Sequence, residues 1–321
     1  MPSVTVVVSI FNGSQFIEGS IKYLSEQEFT DFEVLFVVDS KTTDDTIEKI
    51  NEFGKALPSH RTIMQDDDMA LPGSRNLGLS AAEGQYIWFM DVDDRPYPDF
   101  LKIMVRLAEE HHADFSICNY IRSESLDTKE TRKKGRVFIM DRNQGMKKLM
   151  SDRIPVATWS KVIRTEFLRK NDLIFLPGFS EDVDHTHRMM LACSKAVYCS
   201  KPLYLYHQNA ESLVASLGDD RGQSEIRVYR ELMDKFKNTD HDDAMCRRAA
   251  IMMLRSAVHM SYKTFLEFIK SDEFKECGKY LKNPLTWEYL CVKVSPMAYF
   301  KIVHFYLQFF YYRDLRCYTR I

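Results

Sequence analysis

Apolar runs alternate with amphipathic stretches along the first half of the chain. Val4 to Ile10 is a nearly unbroken β-branched run, the pattern of a strand covered on both faces, and it stops at the turn signal Phe11-Asn12-Gly13. Phe16, Ile17, Ile21 and Leu24 then recur at helical spacing. Phe32 to Val38 predicts a second buried strand ending at Asp39-Ser40, followed by a polar loop over 41–46 and a helix over 46–53. Arg61 to Gln65 predicts a third strand, Gly73 to Ala82 a helix, and Tyr86 to Met90 a fourth strand. Such a β-α-β alternation argues for a mostly parallel sheet flanked by helices.

Further along, Pro98 to Glu110 predicts a helix with Phe100, Leu101, Met104 and Leu107 on one face, and Asp114 to Tyr120 a strand. Short helices are expected over 145–150 and 165–171, a helix over 184–192, and a strand over 196–206 broken by Pro202. Gly218 to Gly222 reads as a linker, and beyond it only helical patterns stand out, over 224–236, 243–268 and 299–312. The expected organisation is a catalytic domain over 1–217, divided into halves 1–98 and 99–217, and a helical region over 223–321.

Composition narrows the function classes. A chain of 321 residues with 45% hydrophobic and 28% charged residues is an ordinary globular protein, and a net charge of −2 argues against nucleic acid as the main partner. The charge is unevenly spread. Residues 221–321 carry 18 Lys and Arg against 12 Asp and Glu, or +6, while the first 220 carry 26 against 34, or −8. A basic tail on an acidic body points to an anionic surface or substrate. Seven cysteines without C-x-x-C spacing fit free thiols in a reducing compartment. The N-terminus lacks a signal-type pattern and no apolar run reaches the ~20 residues of a spanning helix, so a cytoplasmic protein is expected.

The candidate chemistry sits where strands end. The fourth strand runs directly into Asp91, Asp93 and Asp94, three carboxylates within four positions. Like charges this close resist ionising together unless a cation sits among them, and a hard ion with oxygen ligands, Mn²⁺ or Mg²⁺, is the usual solution. The alternative is an acidic turn capping a core strand. Ser9, Phe11 and Asn12 close the first strand and Asp39 the second, so aromatic, acidic and metal-binding groups converge on one edge, as a nucleoside diphosphate would require.

In order and spacing, the chain resembles family-2 glycosyltransferases of the GT-A fold, especially bacterial enzymes of capsule, lipopolysaccharide and exopolysaccharide assembly. The resembling stretches are Val6 to Asn12, Val38 to Thr46, Leu71 to Leu79, Asp91 to Asp94, Trp159-Ser160-Lys161, Ser180 to Val183 and Pro202 to Gln208, covering about 1–215. The resemblance implies that Ser9, Phe11 and Asp39 face the nucleobase and ribose and that Arg75 reaches the donor. Asp91 and Asp93 would form the D-x-D metal site, with Asp94 on donor-sugar hydroxyls and Asp182, beside Glu181, as catalytic base. Asn12 and His207 join the donor side; His207 could contact diphosphate, complete the metal shell or cap the strand. Lys41, in place of a family glycine, is expected in solvent, and Ser40, in place of a second Asp, leaves the nucleobase open.

The implied reaction is inverting, metal-dependent transfer from a nucleoside-diphosphate sugar to a glycan or lipid-linked saccharide. Two other classes compete. A sugar nucleotidyltransferase would need a glycine-rich, Arg-containing loop after the first strand, where this chain has Phe11 to Gln15. The other is a catalytically degenerate relative that binds sugar nucleotide or serves as a scaffold of a polysaccharide assembly complex. His185 and His187 read as packing or acceptor-side residues, His111-His112 as a helix end, and the acidic run 66–68 as surface. The aromatic stretch 296–312 suits core packing, an oligomer seam or peripheral contact with the inner face of the plasma membrane.

Overall fold

The computed structural model describes residues 1–66, 70–127, 135–178, 181–208, 218–237, 242–282 and 286–306. They fall into two compact units, one holding 1–177 and 184–208, the other 178, 181–183 and 218–306.

In the first unit, β1 (Val4–Ile10), α1 (Ser14–Ser25), β2 (Phe32–Asp39), α2 (Thr46–Phe53), β3 (His60–Gln65), α3 (Ala70–Ala81) and β4 (Tyr86–Asp91) form the expected alternation. The β-branched runs of β1 and β2 are buried almost throughout, as strands covered on both faces must be. Helix α1 turns Ile17, Ile21 and Leu24 to the core. Helix α3 lies close on β1 because position 78 is glycine: a Cβ there would stand 2.4 Å from Val7 Cγ1. Next come β5 (Arg95–Pro96), α4 (Phe100–Glu110), β6 (Phe115–Ser123), β7 (Val137–Met140) and α5 (Arg142–Met150), the last opened by an Asp141–Gln144 capping box. Then follow β8 (Lys161–Arg164), α6 (Thr165–Lys170), α7 (Glu181–Ala192) and β9 (Ala196–His207).

The strand order is 3-2-1-4-8-6-9-5, with β7 also on β9. Strands β3, β2, β1 and β4 are all parallel, which is the expected α/β half. Beyond β4 the sheet is mixed rather than parallel: β8 runs against β4 and β6, and β5 and β7 run against β9. The reversal escapes sequence reading because β5, β7 and β8 have two to four residues and show no periodicity of their own. Strand β9 is not broken at Pro202. The chain bulges there, with Cys199 paired to Cys118 and Pro202 to the next residue, Asn119, so the proline takes no ladder position it cannot fill.

The second unit is helical: α8 (Asp219–Phe236), α9 (Asp242–Ser256), α10 (Tyr262–Phe268), α11 (Asp272–Leu281), α12 (Trp287–Val294) and α13 (Pro296–Tyr306). The stretch expected as a linker, Gly218 to Gly222, is instead the start of α8. Asp219 accepts hydrogen bonds from the Ser261 N–H at 2.6 Å and the Thr264 hydroxyl at 2.6 Å, and Gly222 packs under Met260. Helices α11 and α12, which sequence periodicity does not reveal, are opened by Ser271 and Thr286 side chains capping Phe274 and Tyr289 N–H groups. No described helix is long and apolar enough to cross a membrane.

Candidate active site at the carboxyl edge of the sheet

Register brings the strand ends together. Ser9 of β1 is aligned with Asp91 of β4 on one side and Val37 of β2 on the other, while Asp39 ends β2 two residues further on. The first, second and fourth strands therefore deliver Ser9, Asp39 and the 91–94 turn to one edge. Phe11, just past β1, is 60% exposed, a large aromatic face that the core leaves to solvent.

The loops at this edge are tied to each other. Asn12 adopts φ 46°, a left-handed conformation that asparagine tolerates better than most residues, and its Oδ1 accepts the Thr43 N–H at 2.9 Å. Asp44 accepts from the Ser14 N–H at 2.9 Å and the Thr46 hydroxyl at 2.6 Å; Thr46 in turn accepts from the Gly13 N–H. Asp39 accepts the Lys41 N–H at 2.8 Å, which bends the chain at Ser40. Asp44 and Thr46 carry no role in the motif reading, yet they brace the turn that holds Phe11 and Asn12. The signal was available in the acidic-acidic-Thr pattern immediately before a helix.

The acidic turn is electrostatically loaded. Asp94 is buried, one oxygen accepting the His207 N–H at 2.8 Å and the other without a hydrogen-bond partner. Burial, then the negative charges of Asp91 and Asp93, push its carboxyl well above the usual range. Burial also raises Asp93, against the opposing influence of His207 nearby. His207 sets its ring edge-on to Phe16 at 6.3 Å, with Nδ1 buried and without a partner. Asp91 lies 3.2 Å from the guanidinium of Arg75.

Arg75 is the site residue whose position departs furthest from the motif-based expectation. It is 2% exposed, ion-paired to Asp91 and set over the Phe175 ring at 5.3 Å, so in this conformation it braces Asp91 rather than standing open to a ligand. Glu181 and Asp182 open α7, and both belong to the unit that holds the helical region. Other candidates lie in packed surroundings. His185 is buried, stacked on Phe175 at 3.8 Å with Nε2 3.0 Å from the Leu173 carbonyl. Lys161, fully buried, donates to the carbonyls of Pro155 and Ala157, and Trp159 stacks on Tyr204 and Tyr206 at 4.6 and 5.4 Å. The second half of the acidic run, 67–68, lies outside the described residues.

Whether these residues suit a divalent cation is a question of donors. Among the described residues, no three His, Cys, Asp or Glu side chains are already gathered in ligating geometry. Yet an unpartnered Asp94 oxygen, an unpartnered His207 nitrogen and the half-buried Asp93 carboxylate border the same turn, and carboxylates crowded out of water are stabilised by a cation. The donor set fits such an ion.

Comparison with known proteins agrees with this architecture. Glycosyl transferase family 2 matches residues 5–170, just over half of the chain. Glycosyltransferase GlyG of Streptococcus pneumoniae serotype 4 is 25% identical over 289 residues, 85% of this chain and 93% of that protein. Poly(ribitol-phosphate) beta-N-acetylglucosaminyltransferase TarS of Staphylococcus aureus is 24% identical over 248 residues, 76% of this chain and 42% of its own. A structure of TarS 1-349 in complex with UDP-GlcNAc has a TM-score of 0.67 at 17% identity, covering 95% of this chain and 91% of the other. Mannosyltransferase PcManGT from Pyrobaculum calidifontis, in complex with GDP-Man and Mn²⁺, has a TM-score of 0.58 at 14% identity, covering 96% and 87%. The two structures share the GT-A fold with this chain, and the sequence match decides its kinship: the protein belongs to glycosyl transferase family 2 and is a glycosyltransferase.

Proposed function

We propose that the protein transfers a sugar from a nucleoside-diphosphate sugar to a hydroxyl of a glycan or lipid-linked saccharide, with a divalent cation and inversion at the anomeric carbon. The observation that carries this reading is the shared edge of β1, β2 and β4, where Ser9, exposed Phe11, Asp39 and the 91–94 turn converge. Phe11 stacks the nucleobase, and Ser9 and Asp39 hydrogen-bond the nucleoside. Asn12 and His207 complete the donor side. Asp93 and Asp91 would hold Mn²⁺ or Mg²⁺, Arg75 orienting Asp91 through their ion pair, and Asp94 takes donor-sugar hydroxyls. A bound cation acts as a Lewis acid, offsetting charge that grows on the departing diphosphate. Asp182, assisted by Glu181, removes the proton from the acceptor hydroxyl as its oxygen attacks the anomeric carbon. The bond to diphosphate breaks on the opposite face, which inverts the centre. TarS with UDP-GlcNAc and PcManGT with GDP-Man and Mn²⁺ support the donor class and the metal. Such donors put the reaction in the cytoplasm, and a lipid-linked acceptor would bring it to the inner face of the plasma membrane.

The test is thermal stability against a panel of nucleoside diphosphates and their sugars, with and without Mn²⁺, in the wild-type chain and Asp182→Ala. A ligand that binds the folded state raises its melting temperature by mass action. The expected outcome is a Mn²⁺-dependent shift with one nucleotide in both chains, while transfer by Asp182→Ala drops about a hundredfold or more. No shift with any donor in either metal condition would leave a scaffold protein instead.

A further inference from the structure

The chain exposes 14 large hydrophobic side chains among its described residues, and six of them lie within the 19 positions from Trp287 to Phe305. Helix α12 buries Tyr289 and Val292 on one side while Trp287, Leu290 and Val294, spaced three and four apart, stay 48–77% exposed. Helix α13 repeats the arrangement. Tyr299 and Val303 are buried, the former stacked on Phe265, while Met297, Ile302 and Phe305 are 42–63% exposed. Core packing, one of the roles expected for this stretch, thus uses one face of each helix and leaves a second apolar face exposed among the described residues. A surface helix that folds for its own unit needs one apolar stripe, not two. Exposed apolar side chains concentrated in this way mark a binding face.

The charge on this face selects the partner. Lys301 is exposed four residues from both Met297 and Phe305, and exposed Lys293 borders the face, its ammonium over the Phe274 and Tyr289 rings at 5.7 and 5.5 Å. The one carboxylate of the two helices, Glu288, is buried and paired with Arg255 at 3.0 Å. In sequence, 307–321 continue the bias with Arg313, Arg316 and Arg320 against Asp314. Trp and Phe at the apolar–polar boundary, lysines beside them and no exposed carboxylate form the pattern of a helix pair lying in the headgroup region of an anionic bilayer. A protein partner or a second copy would need no such uniform sign.

We infer that the exposed face of α12 and α13 docks the enzyme on an anionic lipid surface. The inference deepens the proposed membrane-side location but does not depend on the sugar chemistry, so its test uses neither donor nor acceptor. The full chain is sedimented with vesicles of phosphatidylcholine alone and of phosphatidylcholine mixed with phosphatidylglycerol. Trp287, at 53% exposure, is the natural reporter, because Trp88 and Trp159 are buried at 0% and 5%. The expected result is binding to the anionic vesicles only, weakened by salt, with a blue shift of tryptophan emission. Lys293→Gln with Lys301→Gln should weaken binding roughly twenty-five-fold, at about fivefold per lysine. Leu290→Ser with Val294→Ser, both at exposed positions, should abolish the blue shift at an unchanged melting temperature. Failure to bind anionic vesicles, or binding that both double variants keep, overturns the proposal. So does a concentration-dependent dimer that Leu290→Ser with Val294→Ser disperses while vesicle binding is absent, which would assign the face to a second copy.

Discussion

The helical unit and the carboxyl edge of the sheet treat buried charge in opposite ways. In the helical unit, partly or wholly buried carboxylates have basic side chains at hand. Glu225 lies 3.0 Å from both Arg221 and His259, Glu288 pairs with Arg255, and Glu276 sits between Arg230 and Lys237 at 2.9 and 2.6 Å. At the sheet edge, three carboxylates share one short turn, and Asp93 and Asp94 form no ion pair among the described residues; Arg75 pairs with Asp91. A fold under selection for stability does not leave such a turn uncompensated, because each buried carboxylate must then be held against its own desolvation. On the proposed function, the contrast separates charge placed to hold a structure from charge placed to receive a ligand.

Replacing a carboxylate in each unit should therefore give opposite results. Asp93→Asn is expected to cut transfer about a hundred- to a thousandfold. Its melting temperature without donor or metal should hold or rise, since one of three repelling charges is gone. Initial rates and a thermal melt of the same preparation check both halves. An unchanged rate would remove Asp93 from the metal site, and a large loss of stability would make the turn structural.

In the helical unit, Glu225→Gln should cost about 3 kcal/mol, since it leaves His259 and Arg221 without their buried anion. The effect carries a pH signature. Burial alone would raise the Glu225 carboxyl, but the hydrogen bond and charge of His259, with Arg221 and Ser256, outweigh it and hold it at about 2. A folded-state value below the ordinary 4.5 means that the contribution is full above about 4.5 and is lost as pH falls toward about 2. Urea unfolding of the wild-type chain at descending pH should approach the Glu225→Gln value across that window. Parallel curves would show that Glu225 does not titrate with folding.

How much of this was legible follows from where each interaction is encoded. Strands β1, β2 and β4 are β-branched or aromatic runs that need no partner to be recognised, and the residues that end them are necessarily at their carboxyl edge. Ser9, Phe11, Asp39 and Asp91 to Asp94 could thus be named in advance. The sheet beyond β4 could not. Lys161 to Arg164 is a strand because Ile163 finds Ile87 on one side and Phe115 on the other, a pairing of residues far apart in the chain. The burial of Arg75 against Asp91 and Phe175 is likewise set by tertiary contacts, and so is the capture of Ser261 by Asp219, which turns an apparent linker into a helix start. In the helical unit, the cap residues Ser271 and Thr286 were visible, but the eight- to ten-residue helices they open are too short for periodicity to speak for them.

The finest version of the comparison lies within the sheet edge itself, between groups that touch a ligand and groups that hold the loops. Asn12 stands at that boundary: it is expected on the donor side, and its side chain is tied to Thr43. Asn12→Gly keeps the left-handed backbone at no steric cost but removes the side-chain bond, whereas Asn12→Ala removes the bond and strains the backbone by about 1 kcal/mol. If Asn12 only braces the loop, Asn12→Gly should raise the donor KM about fivefold, the worth of one hydrogen bond, and Asn12→Ala several times further. A donor contact from Asn12 would instead make the two variants equally poor, because the missing amide, and not the backbone, would set the loss. Steady-state donor KM values for the pair, at saturating acceptor, distinguish the cases. Equality assigns Asn12 to binding, and a clear step between glycine and alanine assigns it to the loop.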